Sequence, residues 1–160
     1  MTIRNRFDQL DLTIISELRK NARVSSADIA RIHHLNERTV RNRIESLIKR
    51  DIIRLTAIVN PHAFEYVIAV DVFIEASMDH EQTILDKLLS MSEISYIAYG
   101  QGSTDLSIEA RFKDSHQMRE FLRRTLPSIP GIKIKGYALV PRVLRSIDEW
   151  MPPASEFNLK

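Results

Sequence analysis

At 160 residues, with a hydrophobic fraction of 44% and a charged fraction of 28%, the chain has the composition of a globular protein of one ordinary or two small domains. No stretch approaches the roughly 20 apolar residues of a membrane span, and Met1 to Arg6 lacks a signal peptide's apolar run, so the expected compartment is the cytoplasm. The lack of cysteine removes disulfides, thiolate zinc sites and cysteine nucleophiles, while the formal charge of +2 is unevenly divided: residues 1–60 carry 12 Lys and Arg against 7 Asp and Glu, a balance of +5, and residues 61–160 carry 11 against 14, a balance of −3.

Leu10, Ile14, Ile15 and Leu18 share one helical stripe, with Asp8 or Asp11 able to cap it, which predicts a first helix ending near Asn21. Ser25-Ser26-Ala27-Asp28 has the form of a capping box, in which the Ser25 hydroxyl accepts an amide and the Asp28 carboxylate returns to the cap amide. A short helix to about Ile32 follows. His33-His34-Leu35 leaves room only for a tight turn before Asn36, which reads as the N-cap of a third helix with Val40, Ile44 and Leu47 inward, running to about Arg50.

Three short helices with a three-residue turn between the last two outline a helix-turn-helix, with the third as recognition helix. At about 100° per residue, burying Val40, Ile44 and Leu47 turns Arg38, Asn42, Glu45 and Lys49 outward, flanked by Thr39 and Arg41. Arg38, Thr39, Arg41 and Asn42 are the candidate base readers: Arg suits guanine O6 and N7, Asn suits adenine N6 and N7, and Thr meets the thymine methyl. Arg43, Lys49 and Arg50 are the candidate phosphate contacts, which position without reading sequence. An amphipathic helix with a solvated charged face is the plainer alternative.

Ile52 to Val59 is rich in β-branched residues and ends at Asn60-Pro61, predicting a connecting strand and then a boundary. Val67 to Ile74 is nearly continuous apolar sequence broken by Asp71, as in a central strand. A helix is expected at about 80–91 with Ile84, Leu85, Leu88 and Met91 inward, then a strand from Ile94 to Gly100 and a turn at Gly102-Ser103-Thr104. Leu106, Ile108, Ala110 and Phe112 alternate with polar residues as a third strand. Asp114 or Ser115 caps a helix carrying Met118, Phe121, Leu122 and Thr125 and stopped by Pro127, and Pro130-Gly131 turns into a strand from Ile132 to about Val140.

The order βαββαβ is the ferredoxin-like unit, a four-stranded antiparallel sheet with both helices on one face. The open face is expected to carry Asp71, Phe73, Ser107, Glu109, Arg111, Lys133, Lys135 and Tyr137, a mixture suited to a second subunit or to solvent. The fold class is thus α+β, an N-terminal winged helix-turn-helix plus a C-terminal ferredoxin-like βαββαβ domain. The expected divisions are residues 1–52, DNA-binding; 53–65, connecting strand and hinge; 66–148, effector-binding and oligomerisation; and 149–160, a fraying tail.

Leu10-Asp11, Asn21-Ala22-Arg23-Val24-Ser25, the run Thr39 to Leu47, Asp51-Ile52-Ile53, Asn60-Pro61 and Gly102-Ser103-Thr104-Asp105, in this order and spacing, resemble the Lrp/AsnC (feast/famine) family of prokaryotic transcriptional regulators over about residues 8–145. The resemblance implies a winged-helix DNA-binding domain, a C-terminal domain that dimerises through its sheet and assembles further, and amino acids as effectors. The partners so implied are double-stranded DNA, a second copy of the chain and a small-molecule amino acid, with no membrane, metal or other cofactor. The family's Gly-x-x-Asp turn maps onto Gly102 and Asp105, with Gln101, Ser103 and Thr104 nearby and Tyr99 bordering the effector's side chain; a plain hairpin turn is the alternative.

Two departures stand out. His34 occupies a turn position where the family often has Gly, so it must adopt a positive φ if the turn needs one, and Glu65-Tyr66 replaces a Leu-Gly pair. A DNA-covering architectural protein is one alternative function, and a relative of haem-precursor decarboxylases another. His62, His80 and His116 lie in separate elements with no pattern joining them, so no catalytic residue is assigned.

Overall fold

The computed structural model describes residues 7–100 and 104–158, and the chain divides into two units: residues 1–58 with 146–160, and residues 59–145. The first unit holds α1 (Gln9–Lys20), α2 (Ser26–His33) and α3 (Glu37–Lys49). Its core is Ile14, Leu18, Ile29, Ala30, Val40 and Leu47, with Ile44 and Phe7 partly buried beside them, so the predicted stripes are those that pack.

The full capping box forms at Asp8, where the Asp11 amide donates to Asp8 Oδ1 and the Asp8 amide to Asp11 Oδ2, each at 3.0 Å. At Ser25 only half of the expected box is made. The Asp28 amide donates to Ser25 Oγ, but the Asp28 carboxylate takes the Ser25 hydroxyl at 2.7 Å and the Arg31 guanidinium at 3.1 Å instead of the cap amide. A charged donor outcompetes a neutral amide for a carboxylate. His34 adopts φ 55° and ψ 42°, the left-handed geometry that the turn requires and that glycine would adopt without strain.

Two expectations fail in this unit. The β-branched segment expected as a connecting strand lies in no helix or strand over residues 53–58, because a strand needs a partner for its amides and none is found among the described residues. The tail, expected to fray, instead packs: Phe157 is 5% exposed with its ring 6.1 Å from that of Phe7, the Asn158 amide donates to the Phe7 carbonyl at 2.8 Å, and the Trp150 carbonyl accepts from Arg19.

The second unit holds β1 (Ile68–Ala76), α4 (Glu81–Leu89), β2 (Ile94–Tyr99), β3 (Leu106–Phe112), α5 (Ser115–Glu120, widening into a π turn at Phe121–Thr125) and β4 (Ile132–Leu139). The sheet is antiparallel with order β2-β3-β1-β4, the expected ferredoxin-like arrangement. Strict alternation in β3 buries Leu106, Ile108, Ala110 and Phe112, which join Val70, Val72, Ile74, Ile84, Leu88, Phe121, Leu122, Leu126 and Ile129 in one core. Gly131 carries φ +84° at the entry to β4, where an added Cβ would lie 2.9 Å from His80 Cβ.

A bulge corrects one residue of the open face. The β1–β4 register pairs Phe73 with Gly136 but Ile74 with Ile134, so Lys135 is the extra residue and the phase beyond it inverts. Tyr137 therefore pairs with the core-facing Val72 and leaves the open face. On that face Asp71 stands opposite Glu109; desolvation, then the facing carboxylate, hold Asp71 above the usual carboxylate range. A raised carboxyl favours its protonated form, so this contribution is complete below the unfolded value and is lost as pH rises through the folded one. Further along, Glu75 receives Lys135 at 2.9 Å and Lys133 at 3.5 Å.

Candidate nucleic-acid interface

Asn36 caps α3 by accepting from the Thr39 amide at 3.1 Å, which fixes where the helix starts and hence which side chains share a face. With Val40 and Leu47 fully buried, Arg38, Thr39, Arg41, Asn42, Glu45, Lys49 and Arg50 are exposed. Asn36, Glu37, Arg38, Arg41 and Asn42 line one open cleft at the start of the helix. Three of the four candidate base readers are thus brought together, with Thr39 exposed beside them.

The three candidate phosphate contacts part company. Lys49 is exposed and, among the described residues, has no ion-pair partner. Arg50 lies 5.8 Å from the centre of the Phe7 ring yet remains exposed, so its charge is still offered outward. Arg43 is turned inward. Its Nη1 sits 3.2 and 3.1 Å from the two oxygens of Asp11, and its Nη2 lies 3.1 Å from Asp8 Oδ2. Asp11 is 1% exposed and needs that cation, so Arg43 ties α3 to the cap of α1 while its side chain stays a third exposed. Desolvation raises Asp8, but the Asp11 amide and Arg43 outweigh it and hold the carboxyl below its ordinary range.

Glu37 is the residue of this surface that sequence pattern did not single out. Its carboxylate accepts from Arg41 one turn on, a spacing that was readable but that equally describes an ordinary surface pair.

Of the candidate effector residues, Gln101, Gly102 and Ser103 lie outside the described residues. Asp105 is fixed into the sheet corner: its amide donates to the Ile74 carbonyl at 2.9 Å, its Oδ2 accepts from the Ala76 amide at 2.8 Å, and its carbonyl accepts from Gly100. Thr104 closes on Gly100, where an added Cβ would meet the Thr104 carbonyl oxygen at 2.6 Å. Tyr99 is exposed with its hydroxyl toward Glu81, which raises the phenol above its ordinary value. Gly100 and Asp105 are thus bonded to each other across the ends of the turn, and Asp105 Oδ1 has no hydrogen-bond partner among the described residues. Among the described residues, no three His, Asp or Glu gather to hold a metal ion, and no helix is long and apolar enough to cross a membrane.

Two family descriptions match the chain: the AsnC-type helix-turn-helix domain over residues 7–48, and the Lrp/AsnC ligand binding domain over residues 71–134. An HTH-type transcriptional regulator of Methanocaldococcus jannaschii is 32% identical over 145 residues, 89% of this chain and 95% of that one. Another of Pyrococcus abyssi is 31% identical over 127 residues, 79% and 83% of the two chains. Among solved structures, E. coli AsnC superposes with a TM-score of 0.80 at 24% identity over 89% of this chain and 98% of its own. A transcriptional regulator of Neisseria meningitidis in complex with L-Met superposes with a TM-score of 0.80 at 18% identity, over 88% of this chain and 93% of that one.

Proposed function

The chain belongs to the Lrp/AsnC family of HTH-type transcriptional regulators, and from that premise we propose that it works as a homodimer, or an assembly of dimers, setting paired α3 helices into successive major grooves of a near-palindromic operator under the control of an amino acid. The observation that carries this reading is the outward face of α3, where Arg38, Arg41 and Asn42 surround an open cleft above a stripe whose Val40 and Leu47 are fully buried. Arg38, Arg41 and Asn42 read base edges, Thr39 meets a thymine methyl, and Lys49 and Arg50 position the helix on phosphates. The second copy meets the open sheet face around Phe73.

The effector is assigned to the turn between β2 and β3. Asp105 Oδ1 would take the ammonium of an amino acid, turn amides its carboxylate, and Tyr99 would border its side chain. Two similar folds, from Neisseria meningitidis and Mycobacterium tuberculosis, were solved with L-methionine, which supports amino acids as the ligand class. The chain is read as a regulator and not a catalyst, since its relatives are regulators and its α3 keeps an Arg-rich face.

The test is footprinting on genomic fragments against excess random duplex, with and without the common amino acids. Two protected half-sites about one helical turn apart and a preference over random DNA of about 10³ or more are expected. An affinity shift of about 5- to 150-fold with some amino acids is also expected. Equal affinity for every duplex would make the protein a general DNA-covering one, and indifference to every amino acid would remove the effector.

A further inference from the structure

Glu37 opens α3, exposed, one turn before Arg41, whose guanidinium donates to its carboxylate. Neither side chain is drawn into the core, being 45% and 59% exposed. Glu37 is the one carboxylate among the five residues lining the cleft, and the neighbouring Asn36 oxygen is already spent on the Thr39 amide.

A carboxylate on a surface that approaches phosphates weakens binding to any sequence, because it repels the backbone and neutralises no phosphate. Its sign suits base edges alone. In the major groove the donors are the amines of cytosine N4 and adenine N6, while guanine O6 and N7 and thymine O4 are acceptors that a carboxylate repels. Adenine sets its N7 acceptor beside its amine, whereas cytosine shows its amine without an adjacent acceptor, so cytosine fits better.

We propose that Glu37 is a specificity-determining residue: Arg41 donates to guanine O6 and N7 while Glu37 accepts from a cytosine N4 amine in the same or the neighbouring base pair. The proposal rests on reading α3 as the recognition helix. Four residues of helix rise about 6 Å, nearly two base-pair steps of about 3.4 Å each, but the tips of the two side chains meet in the free protein, and groups in contact reach the same or adjacent pairs. The ion pair also orders Arg41 in advance, which lowers the entropy lost when it docks.

The experiment carries the full-length protein and its Glu37→Gln, Glu37→Ala and Arg41→Ala variants through selection on a randomised duplex library. Competition titrations then change the selected duplex one base pair at a time. The unsubstituted protein is expected to select a cytosine within one base pair of the guanine lost in Arg41→Ala, and to lose about 5- to 150-fold in affinity when that cytosine is changed. Glu37→Gln moves this preference to adenine, whose N6 and N7 suit a carboxamide, and Glu37→Ala erases it, both keeping the guanine and the thermal midpoint. Base preferences identical in the unsubstituted protein and both Glu37 variants overturn the proposal. So does a loss confined to the guanine that Arg41→Ala also loses, which makes Glu37 a positioning residue for Arg41. DNA binding with no base preference in the unsubstituted protein overturns the recognition-helix reading as well.

Discussion

Arg43 follows Asn42 on α3 with its guanidinium turned back onto Asp8 and Asp11, and that turn decides what its removal does. Arg43→Ala leaves the buried Asp11 carboxylate without its cation, a change costing about 3 kcal/mol, toward the lower end because Arg43 itself is a third exposed. The expected outcome is a lower thermal midpoint with an unchanged slope of log affinity against log salt. Lys49→Ala is expected to do the reverse, keeping the midpoint and lowering that slope by about 1. A normal midpoint with a shallower slope in Arg43→Ala would make Arg43 a phosphate contact. The sequence held a clue to this. Arg43 is three residues past Val40 and four before Leu47, at the border of the buried stripe, and Asp11 lies on the α1 stripe three before Ile14. That the two meet is a tertiary fact 32 residues apart in the chain, which no local period shows.

Elements with a strong period were legible, and those without one were not. The stripes of α1 and α3 and the alternation of β3 announce their buried sides because each repeats over several turns or residue pairs. The segment 53–60 has the composition of a strand but no partner among the described residues, and the bulge at Lys135 moves Tyr137 off the face that simple alternation assigns. The tail is the sharpest case, since a lone Phe157 beyond Pro152-Pro153 repeats nothing yet is almost fully buried. It touches Phe7, next to the Asp8 that caps α1 and receives Arg43 of α3, so it bears on how the recognition helix is held. Phe157→Ala is expected to destabilise the helix-turn-helix unit by about 3 kcal/mol, read as a lower midpoint in denaturant with weaker binding to every duplex alike. An unchanged midpoint would show the tail to be dispensable to that unit.

For the molecule as a whole, the proposed dimer would make the open sheet face set the reach of the regulator on DNA. Phe73 is 38% exposed and stands between Ser107 on β3 and Gly136 on β4, so its ring rises from a floor of small residues. Charge is unevenly divided on either side of it, with Asp71 and Glu109, the latter paired with Arg111 at 2.7 Å, toward one end and Lys133 and Lys135 around Glu75 toward the other. A second copy turned end for end would set the carboxylates of one sheet against the ammonium groups of its mate, with the two rings between them. Phe73→Arg puts a charge at the centre of that contact while leaving α3 and its cap untouched. Light scattering is expected to show the variant as a monomer where the unsubstituted protein is a dimer or a multiple of one. Joining two recognition helices makes the second binding event intramolecular, so its loss should lower operator affinity by about 10²- to 10⁴-fold while affinity for a single half-site stays the same. A Phe73→Arg protein that remains dimeric would place the contact elsewhere, and the unpaired segment 53–60, with Ile58 and Val59 exposed, is the next surface to substitute.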